Sequence, residues 1–168
     1  FADDPADAIA KKALRVNVSD LAAKGAAPLG FLLTLALPRD WRAEWLESFA
    51  RGLGEDAARF DCPLLGGDTV STPGPLTLSV TAFGAVPAGR MVRRTGARVG
   101  DALYVSGAIG DAALGLLARR GTMDGDGKVF LIDRYLLPQP RLALAPALLL
   151  RPAQRRPSQR ANQPQRRT

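Results

Sequence analysis

Three groups of polar residues in this sequence have types and spacings that chemistry can use. The first is Gly66-Gly67-Asp68-Thr69, directly behind the apolar run Cys62-Pro63-Leu64-Leu65. Two glycines after a buried strand let backbone N–H groups approach a phosphate, and the carboxylate that follows can hold Mg²⁺. A plain strand-ending turn with one helpful Asp reads the same four residues as well. The second group is Asn17, Asp20 and Lys24, spaced i, i+3, i+7, so a helix carries all three on one face. A carboxylate in a helix otherwise rich in Ala, Val and Leu faces water or finds a cation. Facing water, it belongs to a solvated polar stripe with an internal Asp20–Lys24 pair. The third group is Arg93-Arg94, whose planar forked donors suit either phosphate oxygens or a solvated surface. Gly107-Ala108-Ile109-Gly110 resembles a nucleotide-binding turn but lacks the third glycine of GxGxxG and the lysine of a Walker loop, which leaves tight strand–helix packing.

What is missing narrows the chemistry further. The chain has no histidine, which removes Ser-His-Asp hydrolysis, Cys-His proteolysis, histidine-ligated metals and a histidine general base. Its one cysteine, Cys62, excludes an internal disulfide and a CxxC zinc site and suits a reducing compartment. Carboxylates, basic groups and backbone remain.

The elements that must position these residues follow from pattern. Asp4-Pro5-Ala6-Asp7 reads as a helix start, with Asp4 as N-cap and Pro5 in the first turn. A helix over 8–24 follows, with Ile9, Ala13, Val16 and Leu21 near helical spacing and Gly25 as its stop. The apolar run 29–37, between Pro28 and Pro38, predicts a buried strand. Asp40 is expected to cap a second helix, with Trp41, Trp45, Leu46, Phe49 and Leu53 on one side, reaching Phe60 despite Gly52 and Gly54. After the short strand 62–65 and a Pro73-Gly74 turn, Leu76, Leu78, Val80 and Ala82 alternate with Thr77, Ser79 and Thr81 in a half-buried strand extending toward Val86. The segment 87–90 marks a domain boundary. Beyond it the pattern predicts a strand over 102–106 and helices over 112–120, 129–137 and 142–150. The expected class is α/β of the α+β type: an N-terminal mixed sheet packed by helices, then the start of a second α/β domain. The domains are 1–88, 89–150 and an Arg-rich tail over 151–168 expected to be disordered.

The formal charge of +7 looks like a nucleic-acid signal until it is located. The last 18 residues hold six arginines and no acid, so residues 1–150 carry a net of only +1. Such a tail would give salt-sensitive, sequence-indifferent binding to polyanions, but no aromatic lies between its arginines to stack bases, so no specific nucleic acid is expected. The longest apolar runs, over 29–37 and 142–150, fall short of the roughly 20 residues a bilayer span requires, and no membrane association is expected.

In order along the chain, Val16-Asn17-Val18-Ser19-Asp20-Leu21-Ala22-Ala23-Lys24-Gly25-Ala26, Leu65-Gly66-Gly67-Asp68-Thr69, Arg94-Thr95-Gly96-Ala97-Arg98-Val99-Gly100-Asp101 and Tyr104-Val105-Ser106-Gly107-Ala108-Ile109-Gly110-Asp111-Ala112-Ala113 resemble the thiamine-monophosphate kinase family. The resemblance covers residues 5–141. It implies an ATP-dependent enzyme of the superfamily that includes aminoimidazole ribonucleotide synthetase, with an N-terminal α/β domain followed by a C-terminal one. Residue by residue, it implies that Asp20 and Asp68 ligand Mg²⁺, that Gly67 and Asp68 line the ATP phosphates, and that Arg94 contacts ATP, with Asn17 and Thr69 in support. The implied reaction passes the γ-phosphoryl of ATP to thiamine monophosphate, giving thiamine diphosphate, in a cytoplasmic homodimer paired through the N-terminal sheets. Another ATP-dependent synthetase of the superfamily is the alternative, and a polyanion-binding module driven by the tail is the non-enzymatic one.

The sequence departs from the family's pattern at both ends. The family has an upstream strand with a paired-aspartate metal motif and a substrate-contacting His-Phe, whereas this chain begins at Phe1, which reads as a processed or incomplete chain. Downstream, Pro138-Gln139-Pro140-Arg141 matches a segment that in the family leads to an Asp-Gly-Leu metal motif. Here the arginine-rich tail follows, which reads as a shifted frame or a stretch foreign to the fold. Impaired activity of the chain alone is the expectation.

Overall fold

A computed structural model of the chain describes residues 3–150. It starts with helix α1 (Ala6–Ala23), strand β1 (Ala27–Pro38), helix α2 (Ala43–Arg59), and strands β2 (Leu64–Thr72) and β3 (Thr77–Ala85). Ala6, Ala10, Leu14 and Val18 recur every four residues along α1 and are all buried, giving a narrow apolar stripe of small and branched side chains. Helix α2 crosses close to it because Gly52 has no side chain: a Cβ there would stand 2.6 Å from the Cα of Asp7. Trp45 stacks on Phe49 with ring centroids 5.2 Å apart. Together α1 and α2 cover Phe31, Leu35 and Leu37 of β1, with Phe49, Leu53 and Cys62 completing the core.

The sheet has the order β2-β1-β3. β1 runs parallel to β2, pairing Thr34 with Asp68 and Leu35 with Thr69, and antiparallel to β3, pairing Leu33 with Val80 and Thr34 with Ser79. Side chains alternate across a sheet, so Phe31, Leu35, Leu78 and Val80 point toward the helices. Leu32, Thr34, Asp68, Val70 and Phe83 face the other way, where Leu32 (39%), Val70 (46%) and Phe83 (42%) stay exposed.

Past residue 86 the chain forms a 3₁₀ turn (Arg94–Gly96), helices α3 (Asp111–Arg119) and α4 (Lys128–Leu136), a second 3₁₀ turn (Leu142–Leu144) and the short helix α5 (Ala145–Leu148). α3 and α4 form a close hairpin, in which a Cβ on Gly115 would fall 2.0 Å from the carbonyl oxygen of Leu131. Polar contacts dock this part on α1. Arg119 pairs with Asp4 at 2.9 Å and Asp3 at 2.7 Å, Lys12 lies 3.3 Å from the centre of the Tyr135 ring, and Arg15 Nη1 donates to the Pro138 carbonyl at 3.3 Å.

The mixed sheet packed by helices is the expected α+β class, and several elements differ from expectation. Pro5 rather than Asp4 occupies the N-cap position of α1, without a side-chain cap, and the Asp4 carboxylate accepts from Arg119 Nε. Asp40 does not cap α2 either, since the Trp41 N–H closes a turn onto the Pro38 carbonyl and the helix begins after Arg42. Gly66-Gly67-Asp68-Thr69 is not a turn behind a strand but part of β2 itself. Gly67, at φ +152°, lets the edge strand come so close to β1 that a Cβ would lie 1.8 Å from the Leu33 carbonyl oxygen. No strand forms over 102–106. Leu103 and Tyr104 are each 92% exposed, and no described strand offers their backbone a ladder. The run over 142–150 breaks into a 3₁₀ turn and α5, because Pro146 fits the first turn of a helix but cannot sit inside one that began at residue 142. The tail over 151–168 lies outside the described residues.

Candidate functional site

The last turns of α1 carry the first site. Val18 and Ala22 are buried while Ser19 and Asp20 are exposed, so the apolar stripe that docks the helix fixes the direction of its polar edge. Asp20, Ala23 and Lys24 face Val92, Arg93 and Arg94 across a hollow of about 110 Å³. The strap formed by residues 92–94 is held by the Val92 N–H, which donates to the Lys24 carbonyl at 3.2 Å. Two residues separated by more than 70 positions, Asp20 and Arg94, thus line one small site with Lys24 and Arg93. Asp20 forms no ion pair with Lys24 among the described contacts. Asn17, one turn back, spends its amide on the Ala13 carbonyl at 2.8 Å.

The second group stands on β2. Asp68 is exposed, level with Thr34 of β1, and its Oδ1 accepts the Thr69 N–H at 2.9 Å. Gly67 beside it leaves bare backbone. Gly67, Asp68 and Thr69 do not line the hollow that holds Asp20 and Arg94, so the expected site residues fall in two places.

Both carboxylates are hard oxygen donors open to solvent, the donor type Mg²⁺ takes. Among the described residues no three of His, Cys, Asp and Glu gather into a group that could hold a metal. Mg²⁺ commonly binds one or two carboxylates with substrate phosphates and water completing its octahedron, so single exposed carboxylates fit that ion better than a caged one. Cys62 is no nucleophile: it is buried, and burial pushes its thiol pKa up, partly offset by a hydrogen bond from the Gly30 backbone.

On the far side of Ala23 lies a second hollow of about 440 Å³, lined by Ser19, Ala22, Tyr104, Val105, Ser106, Arg141, Leu144 and Leu148. Sequence reading named Tyr104, Ser106 and Arg141 only as parts of motifs. Their meeting beside α1 depends on tertiary packing that no local pattern reports. No described helix is long and apolar enough to cross a membrane.

The sequence model of "AIR synthase related protein, N-terminal domain" matches residues 1–86. The thiamine-monophosphate kinase of Caulobacter vibrioides is 50% identical over 149 residues, which is 88% of this chain and 42% of that protein. The structure of AaThiL complexed with AMPPCP and TMP is 32% identical with a TM-score of 0.79, over 89% of this chain and 48% of that one. The thiamine-monophosphate kinase of Stenotrophomonas maltophilia is 42% identical with a TM-score of 0.78, over 86% of this chain and 47% of its own. The chain spans less than half the length of these relatives.

Proposed function

Because the chain belongs to the AIR synthase related family through the domain matched over residues 1–86, we propose that it is the nucleotide- and metal-binding part of a thiamine-monophosphate kinase. The observation that carries this reading is the hollow in which Asp20 stands with Lys24, Arg93 and Arg94. One carboxylate among three cations suits an anion that brings its own divalent metal. The proposed domains are 1–88 and the start of a second over 89–150.

In this reaction a P–O bond forms between a phosphate oxygen of thiamine monophosphate and the γ-phosphorus of ATP. The bond to the β-phosphate breaks, and ADP leaves with the electron pair. A phosphate monoester has a second pKa near 6, so the acceptor is mostly a dianion at neutral pH and needs no general base. A chain without histidine is adequate for that, and no residue acts as a covalent nucleophile. What the protein must supply is position and charge for two anions held in line. Arg94 contacts the nucleotide with its forked donors, and the bare backbone at Gly67 lies along the phosphates with Asp68. Asp20 and Asp68 are the residues that would hold Mg²⁺, which when bound neutralises phosphate oxygens. Asn17 and Thr69 support them, Asn17 by its hold on α1 and Thr69 by fixing the Asp68 carboxylate.

A homodimer is part of the proposal. The outer face of the sheet, with Leu32, Val70 and Phe83 exposed, is the surface a second copy would cover. We assign the protein to the cytoplasm, where a lone thiol stays reduced.

Titration of the chain with ATP tests the reading. Binding should require Mg²⁺ and weaken about tenfold or more in Asp20→Asn and Asp68→Asn, since each removes a charged ligand worth at least ~1.4 kcal/mol. A folded sample that binds no ATP with Mg²⁺ present would overturn it. Thiamine diphosphate formation by the same sample then reports whether the chain suffices for turnover.

A further inference from the structure

We propose that Arg141 is the cation of a second phosphate subsite, in the hollow it lines with Ser19, Tyr104 and Ser106, which shares Ala23 with the Asp20 hollow. The inference deepens the phosphoryl-transfer reading and rests on it. The ligand chemistry is a terminal phosphate carrying two negative charges, which both the nucleotide and the phosphorylated acceptor offer.

Charge is the first argument. Residues 1–150 are close to neutral, yet Lys24, Arg93, Arg94 and Arg141 gather around one helical turn, and Asp20 is the only acid lining either hollow. Like charges brought together raise the energy of the empty site and lower it once an anion enters. Three arginines elsewhere in the molecule are spent on carboxylates, Arg15 on Asp56, Arg119 on Asp3 and Asp4, and Arg134 on Asp111, while Arg51 and Arg90 bond to the Ser48 hydroxyl and the Leu149 carbonyl. The Arg141 guanidinium has no carboxylate partner among the described residues.

Local geometry is the second. The Leu144 N–H donates to the Arg141 carbonyl at 2.9 Å, which pins the backbone at the start of a 3₁₀ turn. The guanidinium then passes over Gly107, where φ is +100° and a Cβ would stand 2.9 Å from Nη2. Gly107 is therefore needed both for its conformation and for the clearance it gives the arginine. Ser19 and Ser106 add hydroxyl donors, and the open ring of Tyr104 offers a face on which an aromatic group can stack. A hollow of about 440 Å³ lies within the range of small-molecule sites, roughly 300–1,000 Å³. Two adjoining cationic hollows, one on each side of the same turn, suit a reaction that must hold two phosphates against their mutual repulsion.

The test is calorimetric titration of the full chain and of Arg141→Gln and Arg141→Lys with three probes: ATP with Mg²⁺, thiamine monophosphate, and inorganic pyrophosphate. Arg141→Gln should weaken at least one probe about tenfold or more, Arg141→Lys should recover part of the loss, and the melting temperature should not move. Loss for ATP alone assigns the subsite to the nucleotide, and loss for thiamine monophosphate alone assigns it to the acceptor. If the parent chain binds pyrophosphate through Arg141 but neither ATP nor thiamine monophosphate, the kinase reading fails while the anion subsite stands. Unchanged affinity for every probe that the parent binds, or no binding of any probe by the parent, overturns the subsite.

Discussion

The chain up to residue 86 and the chain after it spend their side chains differently. Every member of the buried core cluster lies between Ala6 and Cys62, whereas past residue 86 the only buried positions among the described residues are Gly115, Ala118 and Ala145. In the later region Val99, Leu103, Tyr104, Ile109 and Val129 stand open. The first region is held by burial of apolar area, which is large and non-directional. The second is held on it by a few directional polar contacts and a small apolar contact, in which Leu142 packs against the core and Leu149 lies over Gly25. Residues proposed to meet phosphate come from both, so the early region sets where α1 ends and the later one brings Arg93, Arg94 and Arg141 to it.

Asp56→Ala should break this comparison most severely, because the Arg15–Asp56 pair serves both regions. Arg15 Nε donates to Asp56 Oδ2 at 2.5 Å and Nη2 to Oδ1 at 2.9 Å, with both side chains nearly fully buried, while Nη1 reaches the Pro138 carbonyl. Removing the carboxylate leaves a guanidinium buried without its partner, a loss of about 3–5 kcal/mol. Denaturant unfolding should show the midpoint collapse, and the combined Arg15→Met, Asp56→Leu replacement should restore most of it. If the single variant costs less than 1 kcal/mol, the pair is not what joins the regions.

How much could be read in advance follows the same division. Helix α1, strands β1 and β3 and the apolar side of α2 are visible as periodicity, because each buries one face in a core that the local pattern reports. Asp20 and Arg94 were legible as candidates from composition and motif, but their meeting across the hollow depends on the strap that Val92 ties to Lys24, and no spacing encodes that. Gly66-Gly67-Asp68-Thr69 was read as a turn since paired glycines usually end a strand. Only the register with Leu33 reveals that Gly67 is there for close approach of two backbones. Leu103 to Val105 has the composition of a strand, and strand propensity without a neighbouring strand yields no ladder. The Arg15–Asp56 pair was missed altogether, because two charged residues 41 positions apart look like surface until burial is known.

Two glycines sharpen the comparison at a smaller scale. Gly52 and Gly115 each sit where a Cβ would meet backbone, 2.6 Å from Asp7 Cα and 2.0 Å from Leu131 O. Gly52→Ala pushes α2 off α1 in the core and should cost about 1–3 kcal/mol of global stability. Gly115→Ala separates α3 from α4, so its expected effect is local: amide hydrogen exchange should speed up in both hairpin helices while β1 keeps its protection. Equal loss of protection in β1 and α3 for the Gly115 variant would show the two regions to be one cooperative unit.

The mildest expected effect is an acid transition confined to the join. The Arg119 guanidinium hydrogen-bonds Asp3 and holds its carboxyl below the ordinary 3.8. A carboxylate whose folded pKa is depressed contributes stability at pH above its unfolded value and loses it as pH falls through the folded one. Stability from this contact should therefore be complete above about pH 4 and fade below it. The contact is exposed, so salt should weaken it further. Between pH 4 and pH 3, exchange in α3 should rise relative to β1, whose core cluster contains no carboxylate, and Asp3→Asn should remove the pH dependence of that difference. A difference that persists unchanged in Asp3→Asn would show that the Asp3 contact does not govern the response, and would leave the hairpin's attachment resting on the more buried Arg119–Asp4 contact.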